Sequence, residues 1–202
     1  MPDNASQARQ QREETSGDAK PRTSARAMTS ARKQVIDTLK EDHKKVKQAF
    51  EQFEKLDIQK DLQKAQQIVQ QVCMELQMHT QLEEEVLYPA AREAIDEAQM
   101  LDEAEIEHQS AKELIQKLQQ MEPDADPDRY AAMFTVLCEY VQHHVKEEEH
   151  EMFPELGRAE VDWMTVSEQF LQRREALMGE MGLEEDAKPV KQPTHSGSRS
   201  RH

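Results

Sequence analysis

The sequence predicts an all-α protein: an antiparallel up-down-up-down four-helix bundle made of two repeated helix hairpins, followed by a C-terminal amphipathic helix. Three observations predict it: the composition, the spacing of apolar residues, and an internal repeat. Good helix formers (Glu, Gln, Lys, Ala, Leu and Met) dominate, aromatic residues make up only 4%, and glycine occurs 5 times in 202 residues.

Apolar residues recur at alternating steps of three and four, as expected for helices with one buried face. The first helix is predicted over about 31–56, the second over about 62–87, the third over about 100–121 and the fourth over about 128–152. A fifth follows at about 159–181. The inward-facing residues predicted for the five helices are, in order, Val35, Leu39, Val46, Phe50 and Phe53; Leu62, Ala65, Val69, Val72, Leu76 and Val86; Leu101, Ala104, Ala111, Ile115 and Leu118; Tyr130, Met133, Leu137 and Val141; and Trp163, Val166, Phe170 and Leu177. Pro89 is expected to end or kink the second helix, and Pro154 to close the fourth.

These helices divide the chain into four parts. Residues 1–29 are polar without periodicity and are predicted to be a disordered tail. Residues 30–156 form the predicted helical domain, 157–183 hold the C-terminal helix, and 184–202 form a second disordered tail.

Charge and composition exclude several classes of function. The net charge is −15, and because both ends are basic the predicted bundle is more acidic still, so nucleic acid is not an expected partner. No apolar run approaches the length of a membrane span, and the N-terminus lacks the apolar region of a signal peptide. Two cysteines, Cys73 and Cys138, are too few for a disulfide framework. A cytoplasmic protein without a membrane partner is therefore expected.

The apolar stripe is interrupted at six positions, and each is histidine or glutamate. They are His43 on the first helix, His79 and Glu83 on the second, His108 on the third, and His144 and Glu148 on the fourth. His79 and Glu83 are four residues apart and therefore share a helix face.

The two hairpins match at a constant shift of 65 residues without a gap. The shift relates His43 to His108, His79 to His144 and Glu83 to Glu148, and it also relates Pro89 to Pro154. One hairpin therefore occurs twice, and the two copies are predicted to pack about a pseudo-two-fold axis with all six polar side chains at one depth.

Six polar groups in an apolar core indicate a metal site. A buried carboxylate costs several kcal/mol unless it is paired or bound to metal. Imidazole and carboxylate together suit iron, manganese or zinc, and one glutamate from each hairpin could bridge two ions. The alternative is a polar layer that sets the register of the bundle, or surface histidines misassigned to the core; six coincident positions, repeated at one shift, favour metal.

The same residues resemble the hemerythrin-like HHE cation-binding family over about 33–156. The matching segments are Asp42-His43, the run from His79 to Pro89 that reads HTQLEEEVLYP, Glu107-His108, and the run from His144 to Pro154 that reads HVKEEEHEMFP. The resemblance implies a four-helix bundle with a non-haem centre of two iron ions joined by an oxo or hydroxo bridge. Spacing alone also permits manganese or zinc.

The sequence differs from the oxygen-carrying hemerythrins at two positions. Those proteins have a fifth histidine where this chain has Lys112, and an aspartate where it has Glu149. The symmetric set of four histidines and two glutamates is more similar to bacterial di-iron proteins linked to nitric oxide stress and iron–sulfur repair. Their N-terminal Cys-containing domain is not found in this sequence.

Several other residues compete for a role. His143 adjoins His144, but the distance from His144 to Pro154 equals that from His79 to Pro89, which favours His144 as the ligand. The exposed-face glutamates Glu84, Glu85, Glu147 and Glu149 are expected in solvent, although one could orient a ligand histidine. Lys47 and Lys112 are interpreted as surface lysines, and Cys73 and Cys138 as small core residues.

The leading hypothesis is a di-iron protein that binds or reacts with dioxygen, peroxide or nitric oxide in a stress or redox role. A second is an iron or oxygen sensor, or an interaction module without turnover, in which the fifth helix and the tails contact a protein partner that the sequence does not identify. Metal buffering is a weaker alternative, because two ions per chain store little.

Overall fold

The computed structural model describes residues 22–95 and 99–182, and every regular element among them is helical. The helices are α1 (Arg22–Phe53), α2 (Leu62–Leu82), α3 (Tyr88–Ala94), α4 (Gln99–Gln120), α5 (Pro127–Glu147), α6 (Phe153–Leu156) and α7 (Trp163–Met181). Two π-helical turns, Glu83–Leu87 and Glu148–Met152, join α2 to α3 and α5 to α6. The all-helical prediction is confirmed. The predicted C-terminal tail and most of the predicted N-terminal tail lie outside the described residues.

Helix α1 begins at Arg22 rather than near residue 31, so residues 22–29, expected in the tail, are helical. The side chains from Ala25 to Ser30 are mostly exposed. This part of α1 therefore has no apolar stripe from which a helix could be predicted. Helix α7 begins at Trp163 instead of 159, where the carboxylate of Asp162 caps it by accepting from the N–H of Thr165.

Pro89 was expected to end or kink the second helix and Pro154 to close the fourth, but neither proline ends the helical backbone. Helical backbone passes Pro89 to Ala94, and passes Pro154 to Leu156. The N–H of Tyr88 donates to the carbonyl of Glu83, five residues back, and Phe153 repeats this with Glu148. This wider turn leaves room for a proline ring that would clash with the carbonyl four residues back in a regular α-helix.

Two apolar clusters form the core. One is centred on Leu39, Leu82, Tyr88 and Phe170 and includes the buried face of α7. The other is centred on Phe50, Phe53, Ile115 and Phe134. We call them the α7 cluster and the loop cluster. The predicted inward-facing residues are buried, except that Leu62 and Met133 are half-buried; Phe134, next to Met133, is fully buried instead.

The six predicted polar positions lie between these clusters. On α1, for example, Leu39 belongs to the α7 cluster, Val46 belongs to the loop cluster, and His43 lies between them. Helix α7 packs along α1 and α2, and α4 packs along α5. Within the described part of the chain, none of the helices combines the length and the apolar character needed to cross a membrane.

Candidate metal centre

The structure brings all six predicted side chains into one buried layer. His43 comes from α1, His79 from the end of α2, His108 from α4 and His144 from α5. Glu83 and Glu148 are the first residues of the two π-helical turns. Their exposed fractions run from 0% for Glu83 to 7% for His144. The layer is therefore almost wholly buried, and water solvates its charges little.

The four imidazoles form two facing pairs. Nε2 of His43 lies 3.1 Å from Nε2 of His79, and Nε2 of His108 lies 2.9 Å from Nε2 of His144. Each pair joins the two helices of one hairpin, as the repeat requires.

Each inner carboxylate contacts both pairs. Oε2 of Glu83 lies 3.2 Å from Nε2 of His79 and 3.5 Å from Nε2 of His108. Oε2 of Glu148 lies 3.2 Å from Nε2 of His43 and 3.4 Å from Nε2 of His144. The donor atoms of His43, His79, Glu83 and Glu148 all lie within 4.8 Å of one another, and so do those of Glu83, His108 and His144. These two groups could each hold a metal ion, with Glu83 in both.

Outer carboxylates orient three of the four histidines. Nδ1 of His43 lies 2.9 Å from Glu149, Nδ1 of His108 lies 3.0 Å from Glu84, and Nδ1 of His144 lies 2.9 Å from Glu107. A proton on Nδ1 satisfies each contact and leaves the Nε2 lone pair aimed at the interior. Two lone pairs about 3 Å apart repel unless a proton or a cation lies between them.

The inner glutamates have buried oxygens without hydrogen-bond donors in the part of the chain that the structure describes, and a cation would satisfy them. Among the described residues, neither oxygen of Glu83 has a hydrogen-bond partner, and neither does Oε2 of Glu148. Unpaired, fully buried carboxylate oxygens are costly. Four inward imidazoles and two buried carboxylates, of which these three oxygens lack a hydrogen-bond donor in the described structure, therefore fit metal ions by the chemistry of their donors.

Protons balance these charges when metal is absent. Burial raises the pKa of Glu148, but the neighbouring His144 and His43 outweigh burial and lower it. Burial lowers the pKa of His144, yet the charge of Glu148 and the hydrogen bond to Glu107 raise it to about 9. The pKa of His79 is also raised, because Glu83 and Glu148 outweigh its burial.

The repeat is broken at an aromatic position beside the site. The hydroxyl of Tyr88 donates to Oε1 of Glu148 over 3.1 Å, and its ring stacks on His108. The counterpart Phe153 stacks on His43 but has no hydroxyl. Only one of the two inner glutamates therefore receives a phenolic hydrogen bond.

A second break comes from α7. Asp42 is the counterpart of Glu107, but the guanidinium of Arg174 holds it through two hydrogen bonds of 2.7 and 3.0 Å. Nδ1 of His79 consequently has no hydrogen-bond partner in the described part of the chain, whereas Nδ1 of His144 has Glu107. Helix α7 thus makes the two halves of the centre unequal.

The other residues that the sequence analysis considered for a role lie outside the inner layer. His143 is 63% exposed and lies outside the inner layer. Lys112 pairs with Glu84. Glu84 contacts His108 and Glu149 contacts His43, which agrees with the alternative that such a glutamate orients a histidine rather than with a fully solvated face. Cys73 and Cys138 are buried free thiols, and burial raises the pKa of Cys73 to about 12. Their packing in the loop cluster agrees with the expected role as small core residues.

Sequence reasoning assigned no role to three residues, Glu107, Tyr88 and Arg174, although the first two lie in the segments that resemble the HHE family. Glu107 precedes His108 and could not be told from other surface glutamates. Tyr88 carried a signal, since the repeat pairs it with a phenylalanine. Arg174 carried none, because the repeat does not extend to α7.

Comparison with known proteins gives one match. A family model described as hemerythrin, hemerythrin HHE cation binding domain, matches residues 34–156, which is more than half of the chain. No curated protein matches the chain, and no solved structure does.

Proposed function

Because this chain belongs to the hemerythrin HHE cation-binding domain family, we propose that it holds two iron ions and binds or reacts with a small oxidant such as dioxygen, peroxide or nitric oxide. One observation carries the proposal: two facing imidazole pairs share two buried carboxylates. We also infer that α1, α2, α4 and α5 alternate in direction, which fits the short connections within each hairpin.

In this proposal His43 and His79 would hold one ion, His108 and His144 would hold the other, and Glu83 and Glu148 would contribute to both. Two nitrogens and two oxygens per ion would leave coordination positions for a small ligand. The mixed donor set suits iron, and also manganese or zinc; the bound iron would supply a change of valence that zinc lacks.

The cavity beside the histidines supports a small, uncharged ligand. It borders all four imidazoles, Asp42 and Glu107, and its apolar lining includes Val46, Leu76, Ala111 and Val141. An apolar lining stabilises a neutral diatomic molecule better than a charged or sugar-like substrate.

The chain's own groups have separate tasks around that ligand. Glu149, Glu84 and Glu107 fix the rings of three histidines, and the apolar clusters exclude water on both sides. The hydroxyl of Tyr88 is the one phenolic donor among the described residues that hydrogen-bonds an inner carboxylate, so it holds a proton next to the metals.

Metal analysis with absorption spectroscopy tests the proposal. The protein, expressed with ample iron, should contain about two iron ions per chain and absorb in the visible range, and its spectrum should change with dioxygen, peroxide or nitric oxide. A colourless protein without iron, or a spectrum that none of the three alters, would contradict it.

A sensor or interaction role without turnover is the second candidate, favoured by the link from α7 to the centre. Arg174 on α7 binds Asp42, the residue next to His43. A change at the metals could therefore alter the packing of α7 and expose a surface for a partner. Rapid consumption of peroxide would favour an enzyme, whereas metal-dependent association with no consumption would favour the sensor.

A further inference from the structure

The 65-residue repeat has one covered face and one open face. On the first hairpin, α7 packs over Val35, Leu39, Leu82 and Val86 with side chains such as Phe170. Polar contacts hold it there: Ser167 donates to Gln34 over 3.3 Å, and Arg174 binds Asp42. This cover closes the approach to His79 and Glu83 from that side.

The same positions in the second hairpin form a cleft. The counterparts of Leu82 and Val86 are Glu147 and Glu151, and that of Thr38 is Glu103. The cleft is open to solvent in the part of the chain that the structure describes, and it reaches His144 and Glu148. Its carboxylates are those of Glu103, Glu107, Glu147, Glu148 and Glu151. A concave surface lined with carboxylates concentrates cations.

A cluster of three possible ligands stands beside this cleft. Nε2 of His143 lies 3.3 Å from Oε1 of Glu147 and 3.7 Å from Oε1 of Glu107. One donor atom from each of the three residues fits within 4.8 Å. His143 and Glu147 are one helical turn apart on α5, and Glu107 faces them from α4. Their counterparts, Met78, Leu82 and Asp42, are buried and include no imidazole.

Glu107 connects this surface cluster to the inner layer. One of its oxygens faces His143, and the other lies 2.9 Å from Nδ1 of His144. At the inner end of the cleft, Glu148 is 1% exposed and its Oε2 has no hydrogen-bond partner. An unpaired buried carboxylate oxygen attracts a cation inward.

We propose that Glu107, His143 and Glu147 form a third cation site, which takes a divalent first-row transition metal ion from solvent and passes it along the acidic cleft to the buried centre. One imidazole and two carboxylates are a ligand set for such ions, and water completes the coordination at an exposed site. The site binds more weakly than the buried one, so the ion moves on. This inference rests on the proposed two-metal centre.

The test follows Co²⁺ uptake by the metal-free full chain. The variant His143→Ala/Glu147→Gln removes the surface donors without touching the six inner residues. The matched control His150→Ala/Glu139→Gln removes one imidazole and one carboxylate from exposed positions outside the acidic cleft. Stopped-flow absorption gives the rate of filling, and metal analysis after equilibrium dialysis gives the number of ions bound.

We expect three ions per chain in the unmodified protein and in the control, and two in the surface variant. At low Co²⁺ the surface variant should fill its centre at least about tenfold more slowly, the low end of what electrostatic focusing contributes. Its final occupancy of the buried centre should be unchanged.

Other outcomes overturn the proposal in distinguishable ways. Equal rates and two ions in all three proteins would remove the surface site and leave the two-metal centre intact. Lower final occupancy of the centre in the surface variant would make these residues part of that centre. No Co²⁺ absorption in the unmodified protein would remove both proposals together.

Discussion

Glu83 and Glu148 are the two side chains that each contact both histidine pairs, so their loss should affect both metal positions. We expect Glu83→Ala and Glu148→Ala each to reduce bound iron from two ions to one or none. The affinity loss should exceed the 10–100-fold typical for groups that only orient a ligand. Metal analysis checks this, with Glu139→Ala on the exposed face of α5 as the control. Two ions retained in either variant would exclude bridging carboxylates.

The hydroxyl of Tyr88 donates to Glu148 in a fully buried setting, and Tyr88→Phe removes it while keeping the ring. We expect a loss of about 1–3 kcal/mol in the free energy of unfolding of the metal-free protein, since a buried carboxylate loses its donor. Urea denaturation measures it.

Phe153→Tyr is the reciprocal change. By the repeat, its new hydroxyl would face Glu83, whose oxygens have no hydrogen-bond partner. It should therefore cost less than Tyr88→Phe or even stabilise the protein. A larger cost for Phe153→Tyr would mean that the two sides of the layer do not correspond.

The raised pKa of His144 predicts how the stability of the metal-free protein depends on pH. Its pKa rises from 6.5 to about 9, because Glu148 and Glu107 outweigh its burial. Folding therefore favours the protonated ring. This stabilisation is complete below pH 6.5 and is lost as the pH rises to about 9. The free energy of unfolding, measured in urea across this range, should fall. The metal-loaded protein should lack this fall, because metal replaces the proton.

The six inner residues could be predicted from sequence because a polar residue in an apolar stripe is rare. The repeat also places a residue of the same type at the equivalent position of the other hairpin. The sequence could not single out Glu84 and Glu149 from the other exposed-face glutamates, or give Glu107 a role, since a glutamate that reaches inward to Nδ1 occupies the same helix-surface position as one that points to solvent. Only the packing of neighbouring helices separates these cases.

At the scale of the elements, the π-helical turns were the least predictable feature. Pro89 and Pro154 indicated a break, but a π turn absorbs a proline by adding one residue to a turn, and no pattern in the apolar stripe marks that insertion. The turns begin at Glu83 and Glu148, so the irregular backbone coincides with the inner carboxylates.

Helix α7 was predicted from its own apolar stripe, whereas its polar contact with the centre was not. Arg174→Met should cost about 3 kcal/mol in the free energy of unfolding, because Asp42 is 6% exposed and would lose both of its guanidinium hydrogen bonds, leaving only Lys45 at 3.8 Å as a cation. The neighbouring variant Arg173→Met is the control, since Arg173 pairs with the exposed Glu85 and its loss should change little. Urea denaturation compares them. Equal costs would show that α7 is held by its apolar face alone.

A double variant separates the loss of the ion pair from the loss of arginine packing. The double variant Arg174→Met/Asp42→Asn removes both charges and should recover part of the stability lost in Arg174→Met. No recovery would mean that the cost arises from the packing of the arginine stem.

At the scale of the molecule, metal should add stability without being required for folding. The α7 cluster and the loop cluster flank the polar layer, and each packs apolar side chains from several helices. Removal of metal with a chelator should therefore lower Tm and leave the helical circular dichroism largely unchanged. Free metal at 100 times its Kd contributes about 2.7 kcal/mol. Loss of helical signal at room temperature would contradict this.

Because the repeat has no gap, one chain supplies what would otherwise need a dimer of half-length chains. A half-length chain that keeps only residues 99–156 contains His108, His144 and Glu148, half of the donor set. Two such chains, joined as a symmetric homodimer, would restore four imidazoles and two carboxylates, each copy shielding the apolar face of the other. Dilution would then separate the copies and empty the centre, whereas the tandem chain keeps both halves together at any concentration.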